Sequence, residues 1–407
     1  MRSDQMRGSL SRREFLYTTV GGATSAATLL SWPEAVLAGE RPTTRPAELA
    51  RGVLGKTGHP VTRVSFGAIL IQPPQGTQVL KRAIDVGINL VHTSLGYRRG
   101  KSCRAIGALF EQQPAYRDKV FLCLKTSRPG NENYVDRSLK ALRTDRADLL
   151  MPTIHEPDAG RLERIVAFNE KLVKKGKIRF KGLTCHGQMN EVIELVLKQA
   201  GDAFDAALLS LAMAAPSGSR SSGQAGEERQ RFLANLRELR RRKVGIISMK
   251  SGARKAVTRG RTVFEPHVKA VLQAGADTVL TSISNFQQVE MIAGLELSST
   301  AMSWRQRRMA EAFSDGRCMM CGRCSRACPA GVPVGELMRI GSYPSRGAWL
   351  EHAADEYAGL GLDEAGVLAA CADCSACAAA CPVGLAEAAE VRRVVARFGN
   401  RVGARLG

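Results

Sequence analysis

The chain has 407 residues, 44% of them hydrophobic and 24% charged, which is enough for one large domain and one small one with buried cores. Its formal charge of +21 carries no nucleic-acid signature, because only 5% of residues are aromatic and no basic stretch is interleaved with them. The densest basic run, Arg237, Arg240, Arg241, Arg242 and Lys243, ends a helix-like stretch, where cations suit a helix C-terminus and a solvated face.

At the N-terminus, Ser11-Arg12-Arg13-Glu14-Phe15-Leu16 resembles the S-R-R-x-F-L motif of twin-arginine export signals. A mildly apolar stretch follows from Tyr17 to Leu37, and Val36-Leu37-Ala38 offers small or branched side chains for cleavage after Ala38. Gly21, Gly22 and Pro33 break that stretch, so no stable membrane span is expected after cleavage. The resemblance implies recognition by the twin-arginine export machinery, passage in the folded state, and a periplasmic or other extracytoplasmic destination. Residues 1–38 are therefore expected to be a signal peptide and 39–50 a linker.

Next, Leu54-Gly55-Lys56-Thr57-Gly58 marks a turn between two short strands. Apolar runs then alternate with helical patterns. The expected strands are Val64–Ala68, Ile88–Thr93, Val120–Thr126, Ala147–His155, Ile178–Thr184, Ala206–Ala212, Val244–Lys250 and Thr278–Ser282. Helical patterns between them include Thr77–Val86, Glu132–Leu142, Leu162–Lys175, Met189–Gln199, Glu227–Arg242 and Pro266–Ala274. Eight strands, each followed by a helix, predict an α/β fold of the (β/α)8 TIM-barrel type over 51–303. A doubly wound open sheet is the rival, and its dinucleotide-binding form wants a GxGxxG after the first strand that this chain lacks.

Five stretches carry a resemblance to the aldo/keto reductase family over about residues 50 to 300. Gly87-Ile88-Asn89-Leu90-Val91-His92-Thr93-Ser94-Leu95-Gly96-Tyr97 resembles the signature around the family's catalytic aspartate and tyrosine. Val120 to Lys125 resembles the strand bearing its lysine, and Asp148 to His155 the strand that ends in its histidine. Gly176-Lys177-Ile178-Arg179 leading to Gly182, and Ile283 to Val289, match two more. The resemblance implies NADP(H)-linked reduction of a small carbonyl compound, or oxidation of the alcohol. Tyr97 would be the acid, Lys125 would lower its pKa, and His155 would orient the carbonyl oxygen. His92 stands where the family has an aspartate, and a neutral imidazole supplies no negative charge to Lys125.

The implied nicotinamide site is thinned. Thr184-Cys185 replaces a Ser-Asn pair, Leu211 replaces a stacking tyrosine, Ile292 falls at an asparagine, and Ser284 stands where an arginine is usual. The remaining candidates are Thr184, Lys250 in the stretch Met249 to Gly252, Ser282, Ser284, Asn285 and Gln288. Cys103, Cys123 and Cys185 read as buried packing residues, His186 as a neighbour of the pocket, and His59 and His267 as surface or turn residues. Ala215 to Gly226 reads as a flexible loop, either a lid or a plain insertion.

Beyond Trp304 the sequence changes character. Cys318-x2-Cys321-x2-Cys324-x3-Cys328-Pro329 is repeated as Cys371-x2-Cys374-x2-Cys377-x3-Cys381-Pro382. Each is the full bacterial ferredoxin run for a 4Fe-4S cluster, in which the fourth cysteine crosses to the other cluster. Two clusters are expected, one on Cys318, Cys321, Cys324 and Cys381, the other on Cys371, Cys374, Cys377 and Cys328. Zinc ribbons use paired CxxC knuckles without the three-plus-one pattern. Gly335–Ile340 and Ala348–Ala358 look helical, so 304–407 is expected to be a small, mainly helical ferredoxin-type domain. The expectation is an exported iron–sulfur oxidoreductase with a small carbonyl or alcohol substrate and a redox partner protein. The alternative is a non-catalytic electron carrier or scaffold with a degenerate barrel site.

Overall fold

A computed structural model describes residues 48–214 and 223–406. The export motif, the cleavage site and most of the Ala215 to Gly226 loop lie outside the described residues. Two short antiparallel strands, β1 (Arg51–Val53) and β2 (Pro60–Thr62), form a hairpin across the expected turn. Eight parallel strands follow: β3 (Val64–Gly67), β4 (Leu90–Ser94), β5 (Phe121–Thr126), β6 (Ala147–Pro152), β7 (Ile178–Cys185), β8 (Ala206–Ser210), β9 (Gly245–Met249) and β10 (Thr278–Ser282). They close in the order β10-β3-β4-β5-β6-β7-β8-β9, so the barrel is complete and the open-sheet rival is excluded.

These strands read as apolar runs because a parallel barrel buries both faces; every residue of β4, β6, β8 and β9 is buried. Leu90, Phe121, Cys123, Leu149, Met151, Leu208 and Ile247 fill the interior, joined by Leu54 and Val61 of the hairpin. The hairpin therefore plugs the N-terminal end. Asp148, only 3% exposed, ties three strands at once. Its Oδ2 accepts the Leu122 N–H at 2.8 Å and lies 3.1 Å from Arg117, while its Oδ1 accepts from Arg179 at 3.0 Å.

The Glu132–Leu142 and Met189–Gln199 helices match expectation at both ends. The helix expected to open at Pro266 instead runs Arg261–Gln273, with the proline inside it. His267 consequently lies in that helix at 1% exposure, a correction to its reading as a surface or turn residue. His59 is half-buried and packs on the Phe121 ring at 4.8 Å.

A capping box of Ser303 and Gln306 starts the Trp304–Ser314 helix, and the chain then turns back over the C-terminal end of the barrel. The helices Val334–Gly341, Gly347–Ala358, Glu364–Ala370 and Glu387–Leu406 follow. Leu337, Ile340, Ala353, Tyr357, Val391, Val394 and Phe398 give this module its own core. No strand occurs among its described residues, as the helix-linked ferredoxin reading expected. Among the described residues no helix is long and apolar enough to cross a membrane.

Removing the charge of Asp148 leaves Arg117 without its buried partner. Asp148→Asn should cost about 3–5 kcal/mol, read as a lower midpoint in guanidinium unfolding. A change below about 0.5 kcal/mol would show that the three-strand tie is not structural.

Candidate active site and cluster cavity

Side chains alternate across a strand, so the register that turns Leu90 inward also turns His92 inward, and that of Phe121 and Cys123 does the same for Lys125. These residues sit at the C-terminal strand ends, with His155 just after β6, His186 just after β7 and Lys250 just after β9. Tyr97 opens the Tyr97–Gly100 turn, in which Arg98 (φ 50°) and Arg99 (φ 53°) both take left-handed backbone conformations. That strain aims the two guanidinium groups at the module: Arg98 reaches Glu351 at 3.1 Å and Arg99 reaches Asp355 at 2.8 Å.

Further contacts seat the module. Arg323 lies 3.4 Å from Glu228, Arg326 lies 3.4 Å from Glu191, and the Ser210 hydroxyl meets the Met320 sulfur at 3.3 Å. Gly322 has φ 79°, and a Cβ there would fall 2.8 Å from the Gln188 side chain, so the cysteine loop meets the barrel backbone-first.

Two cavities result. One of about 400 Å3 is lined by His92, Tyr97, Lys250 and Ser282 of the barrel and by Arg339 and Tyr343 of the module. The other, about 210 Å3, is lined by Cys318, Cys321, Cys324 and Cys381, with His155 and His186 on the barrel side. Cys318, Met319, Met320, Gly335 and Val383 belong to both, so they form a common wall.

Module side chains project into the barrel mouth. Arg339, 8% exposed, bonds Glu336 at 2.5 Å, contacts Glu356 more closely still, and donates to the Tyr343 hydroxyl at 2.9 Å. Glu336 Oε1 lies 3.3 Å from His186 Nδ1, and His186 stacks on His155 at 3.7 Å. Glu356 Oε1 lies 3.3 Å from His352 Nε2, and the His352 ring stands edge-on to Tyr97 at 6.0 Å. Tyr97 in turn is edge-on to His92 at 5.7 Å.

Burial governs the titration of this group. It holds His92 down to about 3, helped by Lys125, and His155 likewise to about 3. Lys125 keeps some accessible surface but is enclosed by protein; burial lowers its pKa, Glu356 opposes the fall and Arg339 deepens it. Lys250 is pushed well below its ordinary value by burial and by Arg339, against the pull of Glu336. Burial works to raise Glu336 and Glu356, yet His186 and then Arg339 hold Glu336, and Arg339 and then His352 hold Glu356, well below the usual carboxylate range. For Tyr97 the expected direction is reversed. Burial first, then Glu356, pushes the phenol up, and Arg339 only partly opposes the rise.

The expected nicotinamide residues do not converge. Lys250 and Ser282 line the larger cavity. Thr184 is fully buried and gives its hydroxyl to the Leu208 carbonyl at 3.1 Å. Asn285 caps the Phe286–Ala293 helix, and Gln288 folds back to accept the Ser284 N–H at 2.8 Å, so these three serve a helix start outside that cavity. Leu211 lies in the core outside the barrel. Cys103, Cys123 and Cys185 are all fully buried, and the Cys185 thiol donates to the Gly187 carbonyl at 3.1 Å.

The cysteines of the two runs gather in crossed fours. Cys318 is influenced by Cys321 and Cys381, and Cys324 by Cys318 and Cys321. Cys371 is influenced by Cys328, Cys377 and Cys374. Burial first, then these neighbours, pushes Cys318 up to about 11 and Cys324 up to about 12. Thiols so gathered ionise only when a metal supplies positive charge, which fits an iron–sulfur core. Cys318 is exposed by surface area yet behaves as buried, because its surroundings are the walls of the two cavities. The Met320 and Leu385 amides approach Cys318 Sγ and Cys381 Sγ at 3.4 Å each, as suits charged sulfur. Among the described residues no three His, Cys, Asp or Glu close on a single-ion site. A cube takes its four thiolates at separate corners and needs a wider ring than one tetrahedral ion.

The aldo/keto reductase family profile matches residues 69–305, more than half of the chain, and the chain belongs to that family. A 4Fe-4S dicluster domain profile matches residues 317–386. No curated protein matches the chain. Among solved structures, the aldo-keto reductase AKR11C1 of Bacillus halodurans is 17% identical, with 65% of this chain and 96% of that one covered and a TM-score of 0.48. An aldo/keto reductase of Klebsiella pneumoniae in complex with NADP and acetate is 16% identical, with 66% and 96% covered and a TM-score of 0.49.

His92, His155 and His267 are each held to about 3 against an ordinary 6.5. Within that window the unfolded chain binds protons that the fold refuses, so their stability is complete above 6.5 and drains away as pH falls towards 3. The unfolding midpoint should therefore drop between about pH 7 and pH 5, and His267→Gln should flatten the slope. An unchanged midpoint over that range would contradict neutral burial of these rings.

Proposed function

We propose that this chain is an iron–sulfur oxidoreductase that interconverts a small carbonyl compound and its alcohol. Electrons would be exchanged with a redox partner protein through two 4Fe-4S clusters. The supporting observation is the common wall: Cys318 borders both the cavity of four cysteines and the cavity of His92, Tyr97 and Lys250. Reduction of the carbonyl takes two electrons and two protons and leaves a C–H and an O–H bond. A bound 4Fe-4S cluster supplies electrons singly. Burial keeps the Tyr97 hydroxyl protonated, so it donates a hydrogen bond to the carbonyl oxygen. The lowered ammonium pKa of Lys125 makes that group the readier proton source. His92 stays neutral beside them and holds the oxygen without adding charge.

A bound NADP(H) is the second reading, favoured by Lys250, Arg254 and Arg317 in the lining of the larger cavity. The thinned remainder of the expected nucleotide residues speaks for the first. Anaerobic, cluster-loaded protein separates them. Under the first reading NADPH leaves the cluster absorbance unchanged and a reduced low-potential carrier bleaches it. A carbonyl compound then restores the colour, and Tyr97→Phe slows that step by about 10²-fold. Cys381→Ser should lose the cluster shared with Cys318, Cys321 and Cys324, with roughly half the iron, and abolish the response. Bleaching by NADPH favours the second reading. Failure of every carbonyl compound and alcohol to exchange electrons with the clusters leaves an electron carrier on a barrel scaffold.

We also propose export through the twin-arginine route, supported by Ser11 to Leu16 and by the need to load clusters before crossing. Replacing Arg12 and Arg13 with lysine should retain the protein in the cytoplasm. Unchanged fractionation would refute export by that route.

A further inference from the structure

We infer that the larger cavity takes a carbonyl compound that also carries an anionic group, a carboxylate or a phosphate. The carbonyl lies over His92 and Thr281, and the anion is held by Arg254, Lys255 and Arg317. This deepens the carbonyl-reduction reading and rests on it for the reacting end alone. All five residues line the one cavity of about 400 Å3. The strand order places its two ends. His92 on β4 and Thr281 on β10 flank β3, whose Gly67 pairs with His92 and adds no side chain. Beside β10 runs β9, and the helix Ala253–Val257 with Arg254 and Lys255 comes after it. Arg317 reaches the same cavity from the module, just past the Trp304–Ser314 helix. β4 and β9 lie three strands apart around the rim, so the anion is several bonds from the carbonyl.

At the reacting end two buried polar groups have no partner. Thr281 is 2% exposed and His92 3%, and neither the Thr281 hydroxyl nor His92 Nε2 makes a hydrogen bond among the described residues. Buried polar groups are nearly always paired, so both atoms point to a ligand. At the other end the charge is one-sided. Arg339, in the same lining, is answered by Glu336 and Glu356. Arg254, Lys255 and Arg317 form no ion pair with a carboxylate among the described residues. The two guanidinium groups are nevertheless held in place. Arg254 donates to the Ser342 carbonyl at 3.0 Å and covers the Trp349 ring at 4.9 Å, and Arg317 lies on the Phe313 ring at 3.8 Å. Burial first, then Arg317, Arg254 and Arg259, holds Lys255 below its ordinary value, as burial, then Arg259 and Arg254, does for Arg317. Fixed guanidinium groups with no carboxylate of their own suit an oxyanion brought by the ligand. A dinucleotide would offer phosphates to the same cations. Ser284, Asn285 and Gln288, expected to hold the rest of it, instead serve a helix start outside the cavity.

The test is calorimetric binding to the full, cluster-loaded chain without reductant. Three aldehydes share one ring: para-carboxybenzaldehyde, para-formylphenyl phosphate and the neutral para-tolualdehyde. At least one of the charged pair should bind about tenfold or more tightly than the neutral probe, and added salt should shrink that advantage. Whichever charged probe gains more names the anion. Arg254→Gln and Arg317→Gln should each remove most of the advantage and leave para-tolualdehyde binding unchanged. If Arg254→Gln, which also loses its bond to Ser342, does not fold, Arg317→Gln and Lys255→Gln carry the same comparison. Equal binding of charged and neutral probes overturns the proposal, as does an advantage that survives these substitutions. NADPH binding that the substitutions weaken, with no advantage for the small anions, overturns it in favour of a nucleotide. No turnover is needed, so charged probes that bind but never exchange electrons with the clusters sink the carbonyl reading and leave the anion site standing.

Discussion

Arg339 is a permanently charged group with 8% of its surface exposed, and a charge so placed must be surrounded by opposite charge. Glu336 and Glu356 meet that demand from the same module, one on each side of the guanidinium. The resulting triad is wedged against a barrel mouth that already holds Lys125 and Lys250, so the module fits in one orientation. Much of the remaining geometry follows from that seating: the common wall at Cys318 to Met320, the cavity over His92, and the His155–His186 ring contact against the cysteine cavity.

The seating places the cysteine cavity and the charged lining of the larger cavity on neighbouring surfaces. The helix Val334–Gly341 has Gly335 in the common wall, Glu336 near His186 and Arg339 in the larger cavity. It is joined to the first cysteine run by a short connection, and Gly335 donates its N–H to Ser325 at 2.9 Å. A displacement of the cysteine loop would therefore be felt at Glu336. The cysteine loop and the charged residues over the barrel mouth thus share one helix and its short connection.

The barrel was legible because its strands are apolar on both faces and its helices are amphipathic, and both patterns are local. The cysteine runs were legible for the same reason, since three of every four ligands lie within one turn of chain. Pro266 misled because proline usually opens a helix; here the preceding turn is held by Arg261 and Glu265 at 3.0 Å and the ring lies inside. The Tyr97 expectation failed for a different reason. It weighed one neighbouring charge and left out burial, which dominates in a covered cavity. The module's contribution was hidden because Glu336 and Arg339 (three apart) and His352 and Glu356 (four apart) read as ordinary pairs on a solvated helix face. Only the tertiary contact turns them inward.

The turn after Tyr97 shows how far the two parts depend on each other. Arg98 and Arg99 hold left-handed backbone conformations that are unfavourable for residues with a Cβ. In a barrel without the module Arg98 would keep its bond to the Leu70 carbonyl at 3.1 Å, but both arginines would lose their carboxylates, because Glu351 and Asp355 lie on the Gly347–Ala358 helix. The same helix supplies His352 against the Tyr97 ring and Glu356 beyond it. The position of Tyr97 is thus set by the module as much as by the strand before it. The strain at Arg98 and Arg99 is matched by ion pairs to the module, so the turn that carries Tyr97 is built across the junction of both parts.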